Sequence, residues 1–372
     1  MKKRKVLFLH NSVAEYRIEF WKYLAKSMDL SLLITNKDLD NRIYGLEKDI
    51  NGLNISYFDL KKSLWHGKWN AREFDAVILP PADRFKEFLI GLLYAIGCKL
   101  HKKKCIYWTE HWEAEVKDQS ILRFLFNITK HIEIGILARL SDVCIASGTK
   151  AADFYKQLNI NTNKIVIATD SSTSPENHGS IDFSAEYGIP DTAKVVLYFG
   201  RVVERKGLGY LLKAIELVSE YNRENNMWLM ICGEGPYLDT AKQYVKKNKL
   251  SRVVFAGKIQ PIHRKKFYTR ASVFVLPSYP RKGSVEIWGL TVNEALEAGT
   301  PVVATDAVGA AFDLLDGNNG IMISHSSVEE LANAIKKYSN KSLYEQHCKE
   351  VANRFSVKNM ATVFEKCINN NS

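Results

Sequence analysis

Short β-rich runs alternate with amphipathic stretches along almost the whole chain, and this constrains the fold more than any other feature. In the first half KVLFL, LSLLIT, DAVILP, KCIYWT, DVCIAS and KIVIAT read as strands. Helical patterns such as FWKYLAKSM and LRFLFNITKHIEIGILARL lie between them. At 169–192 the pattern breaks into TDSSTSPENHGSIDFSAEYGIPDT, a polar stretch that reads as a linker. The alternation then restarts: KVVLYFG, GLGYLLKAIELVSEY, MWLMICG, LDTAKQYVKK, RVVFAG, SVFVLPS, LTVNEALEAG and PVVAT. A chain of 372 residues is also too long for one comfortable core. The expected fold class is therefore α/β, with two doubly wound domains at 1–180 and 181–355 whose strand-end loops face a cleft. Residues 356–372 read as a helix that packs back on the first domain, on length alone.

Composition narrows the function classes. The 46% hydrophobic and 25% charged fractions are those of an ordinary globular chain. No run reaches the roughly 18 apolar residues of a membrane span. MKKRK is followed only by Val6–Leu9 before His10, which is too short for a signal h-region, so a cytoplasmic protein is expected. Six scattered cysteines without CxxC spacing suit reduced core thiols rather than a disulfide framework or a zinc site. Of the net charge of +11, +7 falls in residues 1–170. The excess favours polyanions. It is spread over both halves with no aromatic–basic stripe, which speaks against nucleic acid as the partner.

The second half carries the chemistry. Strand KVVLYFG ends at Gly200, followed by Arg201 and ERKGL, so Arg201 and Lys206 share one strand-to-helix loop and can meet one anion. A solvated basic loop is the alternative. MWLMICGEGPY ends in a turn at Gly233 that either cradles a phosphate or only turns the chain before a proline-initiated helix. After RVVFAG, Ile259 can meet a flat ring. In SVEIWGLTVNEALEAG, Gly289, Leu290 and Thr291 offer free amides at a helix start, an anion site. Glu294, about one turn in, can accept from vicinal hydroxyls, and Glu286 lies in the preceding loop, placed for a second polyol. As a glycosidase pair, two carboxylates would sit about 5–9 Å apart, but a hydrolase has no use for the basic clamp beside them.

Four ordered blocks, GR…ERKGL, the Glu286-x7-Glu294 string after PS, GTPVVATDAVGAAFDLL and DGNNGIMI, together resemble the retaining GT-B glycosyltransferases of family 4. The likeness covers the second domain, with weaker agreement at IASGTKAADFYKQL. Ala310 stands where many relatives have glycine, and Asp313 where many have Glu. The resemblance implies that Arg201 and Lys206 hold the donor diphosphate, helped by the amides at 289–291. It assigns Glu294 to the nucleotide ribose and Glu286 to the donor sugar, with no metal and no further cofactor. It also implies same-face substitution through an oxocarbenium-like state, the leaving phosphate helping to deprotonate the acceptor. Asp38-Leu39-Asp40 resembles a metal-binding DxD of a different glycosyltransferase fold, and in its polar loop it reads as solvated.

The first half is expected to choose the acceptor. Its first strand ends at His10-Asn11 without the glycines of many relatives. Tyr16 and Arg17 start a helix, and Arg17 either meets an acceptor phosphate or is an ordinary surface arginine. His111, in YWTEHWEAE, is the candidate for lining the donor-sugar site by similarity, or else a hydrogen-bonded histidine. Trp108 and Trp112 either stack on a sugar or pack. FLIGLLYAIG followed by a Lys/His cluster, with LRFLFNITKHIEIGILARL nearby, suits either an anionic membrane surface or a buried helix with a basic cap. The function expected is transfer of a sugar from a UDP- or GDP-linked donor to a lipid-linked or growing surface glycan. The alternatives are a sugar-nucleotide epimerase and a catalytically silent binding subunit on the same fold.

Overall fold

A computed structural model of the chain describes residues 3–36, 50–58, 71–114, 121–173, 180–282 and 284–370, with the side chains of 122–124 excepted. Asp38–Asp40 lies outside them. The chain forms two compact units. The first runs up to Ser172 and takes in the segment from Ser356, leaving Glu113 and Ala114 to the second; the second otherwise runs from Thr173 to Phe355.

The first unit contains β1 (Lys5–His10), α1 (Glu15–Ser27), β2 (Asp29–Ile34), β3 (Asn54–Tyr57), β4 (Ala76–Leu79), α2 (Phe85–Leu100), β5 (Lys104–Thr109), α3 (Ile121–Leu140), β6 (Val143–Ala146), α4 (Thr149–Gln157) and β7 (Ile165–Ile167). Its strands form one parallel sheet in the order β3-β2-β1-β4-β5-β6-β7. Strands of this kind are apolar on both faces because helices cover both.

The second unit contains α5 (Phe183–Tyr187), β8 (Lys194–Phe199), α6 (Leu208–Leu217), α7 (Ser219–Glu224), β9 (Met227–Cys232), α8 (Leu238–Lys247), β10 (Val253–Gly257), α9 (Arg264–Arg270), β11 (Val273–Leu276), α10 (Leu290–Glu297), β12 (Val302–Thr305), α11 (Gly309–Leu314), β13 (Gly320–Ile323), α12 (Val328–Tyr338) and α13 (Glu345–Arg354). Its parallel sheet has the order β10-β9-β8-β11-β12-β13. Along β8, Val195, Leu197 and Phe199 enter the core on one face, and Val196 and Tyr198 enter that on the other. In each sheet the strand order reverses beside the first strand, at β1/β4 and β8/β11. Open parallel sheets bind ligands in the crevice at such points.

The polar stretch at 169–192 is not featureless. Asp182 accepts hydrogen bonds from the amides of Ser184 and Ala185, which starts the short helix α5, and Gly188 ends it in a left-handed conformation. The chain's last helix, α14 (Val357–Asn369), lies in the first unit, where Phe364 packs on Phe8, Phe20 and Trp108. All six cysteines are buried free thiols. Among the described residues no helix is long and apolar enough to cross a membrane.

Candidate functional site

The switch point of the second sheet brings two loops together, one after β8 and one after β11. Their closeness is set by backbone. Gly207 has φ 75°, and a Cβ there would lie 1.7 Å from the carbonyl oxygen of Pro277. Gly233, at φ 138°, would place a Cβ 1.9 Å from the carbonyl oxygen of Gly200. Only glycine permits either approach. The amides of Gly200 and Gly233 donate to Cys232 and Gly257, which ties the ends of β8, β9 and β10 together.

This packing brings Lys206 to Glu286. The ammonium lies 2.7 Å from Glu286 Oε2, and Arg205 Nη1 donates to the same oxygen at 2.9 Å. Burial alone would raise the Glu286 pKa, but the Lys206 charge and then the Arg205 charge hold it below the usual carboxylate range. The backbone of Glu286 is fixed by bonds to Ala307 and Gly309. Arg201 is exposed, and its carbonyl accepts the Tyr198 hydroxyl at 3.0 Å. Arg201, Arg205, Lys206, Arg281 and Lys282 line one cavity of 470 Å³ with Val203 and Glu204. Glu204 pairs with Arg281, leaving the lining strongly positive. Such a lining suits a diphosphate in charge and in donor geometry.

Glu294 is a separate environment. It is buried, Tyr268 donates to its Oε2 at 2.7 Å, and Arg264 lies 3.6 Å away. Burial pushes its pKa up, offset in part by the Tyr268 hydrogen bond and the Arg264 charge. Tyr268 is itself stacked on Phe199 at the end of β8, with ring centroids 5.1 Å apart. Gly289 precedes α10 with φ 99°, and the amides of Leu290 and Thr291 are among those a helix start leaves without intrahelical acceptors. Thr291 Oγ1, Ser278 Oγ and Arg264 Nε are buried without a hydrogen-bond partner among the described residues. Buried polar atoms of this kind call for a partner, a water or a polar ligand. Leu290 and Ile259 are half-buried against the core.

In the first unit, His111 follows β5. Its amide donates to Thr109 Oγ1 at 3.1 Å, and its ring meets Phe154 edge-on at 4.7 Å. Trp108 and Trp112 are buried, and Trp108 Nε1 donates to Ser147 Oγ at 2.9 Å, so both pack. Tyr16 is half-buried at the start of α1. The expectation for Arg17 is corrected. It is neither a surface arginine nor open to an acceptor phosphate, because its guanidinium is wholly buried and forms ion pairs with Asp170 and Glu110. It also lies 4.6 Å from the Trp108 ring centroid. Partial burial raises the Glu110 pKa, opposed by the Arg17 charge.

Arg205, Arg281, Lys282, Tyr268 and Arg264 also belong to these surroundings, though the sequence alone does not mark them. The first three stand in ERKGL and PRKGS, where cation density beside glycine was the available signal. Tyr268 and Arg264 lie on α9 and carry no local signal. Among the described residues no group of three or more His, Cys, Asp or Glu side chains is arranged to hold a metal ion.

Two doubly wound parallel α/β units in one chain make the GT-B architecture, a pair of Rossmann-like domains. HepE from Anabaena, solved in complex with UDP, superposes with a TM-score of 0.73 at 16% identity over 97% of this chain and 98% of that one. At that identity the likeness is one of fold. Residues 180–355 match the family described as Glycosyl transferases group 1. An uncharacterized glycosyltransferase of Methanocaldococcus jannaschii is 31% identical over 154 residues, 41% of this chain and 37% of that protein. The lipopolysaccharide core biosynthesis glycosyltransferase LpsE of Rhizobium meliloti is 32% identical over 154 residues, 41% of this chain and 42% of its own length. These sequence matches thus span about two-fifths of the curated relatives.

Proposed function

We propose that the chain is a retaining glycosyltransferase that moves a sugar from a UDP- or GDP-linked donor onto a lipid-linked or growing surface glycan. The observation that carries this reading is the convergence of Arg201, Arg205, Lys206, Arg281 and Lys282 on one cavity at the strand-end loops of the second sheet. The UDP held by HepE and the lipopolysaccharide core role in the name of LpsE support the donor and acceptor classes.

Breaking the bond between the anomeric carbon and the terminal phosphate oxygen puts charge on the diphosphate. Lys206, held in place by Glu286, and Arg201 meet that charge, with the amides at 289–291 adding donors, and charge preorganised in this way is worth several kcal/mol per group. Glu286 accepts from a donor-sugar hydroxyl while its pairing keeps Lys206 in place. Glu294 accepts from the ribose hydroxyls through the lone pairs Tyr268 leaves open. Gly200 and Gly233 give the backbone close approach, Ile259 meets the base, and His111 lines the sugar. The acceptor hydroxyl attacks the face the phosphate leaves, through an oxocarbenium-like state, and its proton passes to the departing phosphate oxygen. Because side-chain cations carry the charge, the reaction needs no metal. Its place is the cytoplasm.

The test is thermal stabilisation by UDP-, GDP- and ADP-sugars and their free nucleotides without added metal. A ligand at about 100 times its Kd adds ~2.7 kcal/mol to the native state. One base class is expected to raise Tm in the wild type and to lose its effect in Lys206→Ala. A melt that no nucleotide shifts would overturn the donor site.

A further inference from the structure

Among the described residues, ten of the seventeen exposed large hydrophobic side chains lie on α2 and α3. On α2 they are Phe85, Leu89, Leu93, Ile96 and Leu100, spaced by four, four, three and four residues. At 3.6 residues per turn these fall within an arc of about 80°. The opposite face of α2, with Phe88, Ile90, Tyr94 and Cys98, is buried in the unit. A helix apolar on both faces calls for apolar surroundings on both. On α3, Ile121, Leu125, Ile128 and Ile132 form a second stripe with the same period.

The topology makes these stripes one surface. Helices α2 and α3 are successive crossovers from β4 to β5 and from β5 to β6, in adjacent parallel strands. Right-handed crossovers in one direction put both on the same face of the sheet, running the same way, and the two helices pack on each other. Their carboxyl ends therefore lie at one edge, and that edge is basic. Lys99, Lys102, Lys103 and Lys104 line a cavity of 480 Å³ with Arg4, Asp75 and Asp142. Both carboxylates are engaged, Asp142 by Lys99 and the Cys105 amide and Asp75 by the Lys5 amide. Lys102 and Lys103 have no side-chain partner among the described residues. Arg139, in the last turn of α3, is engaged instead, donating to the Leu158 carbonyl at 2.7 Å.

We infer that the α2–α3 face is a docking surface for an anionic lipid bilayer, with the apolar stripes entering the acyl boundary and the lysine basin taking headgroup phosphates. Apolar burial combined with cations at the rim is the chemistry of a surface-bound amphipathic element. The inference bears on the lipid-linked acceptor of the proposed reaction, but its test needs no turnover, so the two stand or fall separately.

The test is co-sedimentation of the whole chain with phosphatidylglycerol-containing vesicles and with neutral phosphatidylcholine vesicles. The wild type is expected to bind the anionic vesicles, less so as ionic strength rises, and to leave the neutral ones. Lys102→Glu/Lys103→Glu and Leu93→Ser/Ile96→Ser/Ile128→Ser are each expected to lower binding by about tenfold or more. All five positions lie outside the core, and unchanged melts and unchanged nucleotide shifts would show both folds intact. Failure of the wild type to bind anionic vesicles would overturn the inference, as would wild-type binding by both variants. So would a wild-type dimer that the apolar variant dissociates with vesicle binding unchanged, since the face would then serve a second copy.

Discussion

Glu294 shows why one carboxylate is not interchangeable with another. It accepts the Tyr268 hydroxyl in a buried site, so Glu294→Ala removes more than a ligand contact. It leaves a phenol unpartnered, at a cost of about 1–3 kcal/mol. Glu294→Gln keeps an acceptor and is expected to melt within a few degrees of the wild type while losing nucleotide-sugar stabilisation. Equal destabilisation by Ala and Gln would show that charge, not the hydrogen bond, holds Tyr268. His10 offers a pH test. Burial, then the Arg17 charge, lowers its pKa to about 4, while its ring nitrogen meets the Ser12 carbonyl at 2.9 Å. The unfolded chain takes up the proton first. The stability from neutral His10 is thus complete above pH 6.5 and is lost as pH falls toward 4, at about 1.4 kcal/mol per unit. His10→Gln is expected to shrink the loss of denaturant stability between pH 7 and pH 5 by ~2 kcal/mol. Parallel pH curves for the two proteins would remove His10 as the group responsible.

At the scale of elements, two glycines with similar backbone angles separate conformation from contact. Gly188 and Gly207 have φ of 67° and 75°. A Cβ at Gly188 meets nothing within 4 Å, whereas at Gly207 it strikes the Pro277 carbonyl at 1.7 Å. Gly188→Ala is expected to cost only the left-handed strain, about 1–2 kcal/mol. Gly207→Ala adds a backbone clash that no rotamer relieves, and is expected to cost ~3 kcal/mol or more and to open the Lys206–Glu286 pair. Matching Tm losses would mean that the loop yields. The same contrast marks what was legible in the chain. The runs KVLFL, LSLLIT, KVVLYFG and PVVAT are apolar on both faces, so period and composition sufficed to place them as parallel strands. β3, with the sequence NISY, and β13, with GIMI, are sheet-edge strands of four residues each. The polar residues of the first and the brevity of both leave too little periodicity to read. Lys206 and Glu286 were visible as residue types at a fitting spacing. Their direct pairing was not, because it depends on how Gly207 seats against Pro277. The burial of Arg17 is not legible, because a local pattern of polar residues at a helix start shows neither Glu110 nor Asp170, which lie 93 and 153 residues away.

For the whole molecule, the chain's path matters more than its order. After the second unit is complete the chain returns to the first, where α14 buries Val357, Met360, Ala361, Phe364, Cys367 and Ile368. That this segment is an amphipathic helix is written in its own residues. Which sheet it covers is not, because its partners Phe8, Phe20 and Trp108 come from β1, α1 and β5. Phe364 meets Phe20 at 4.9 Å and Trp108 at 5.3 Å, both edge-on, and stacks on Phe8 at 6.2 Å. Each large apolar side chain so buried contributes about 1.5–3 kcal/mol. Losing all of them takes away an amount comparable with the whole stability of a domain, about 5–15 kcal/mol. Truncation after Phe355 is therefore expected to unfold the first unit while the second, whose core contains none of these residues, keeps its structure. Limited proteolysis would then digest 1–172 and leave a resistant fragment beginning near Thr173. Phe364→Ala, at about 3–5 kcal/mol, should give a milder form, a first unit that melts before the second. If the truncated chain resists protease in both halves equally, α14 is an ornament on the first unit and its aromatic contacts contribute little to holding that sheet together.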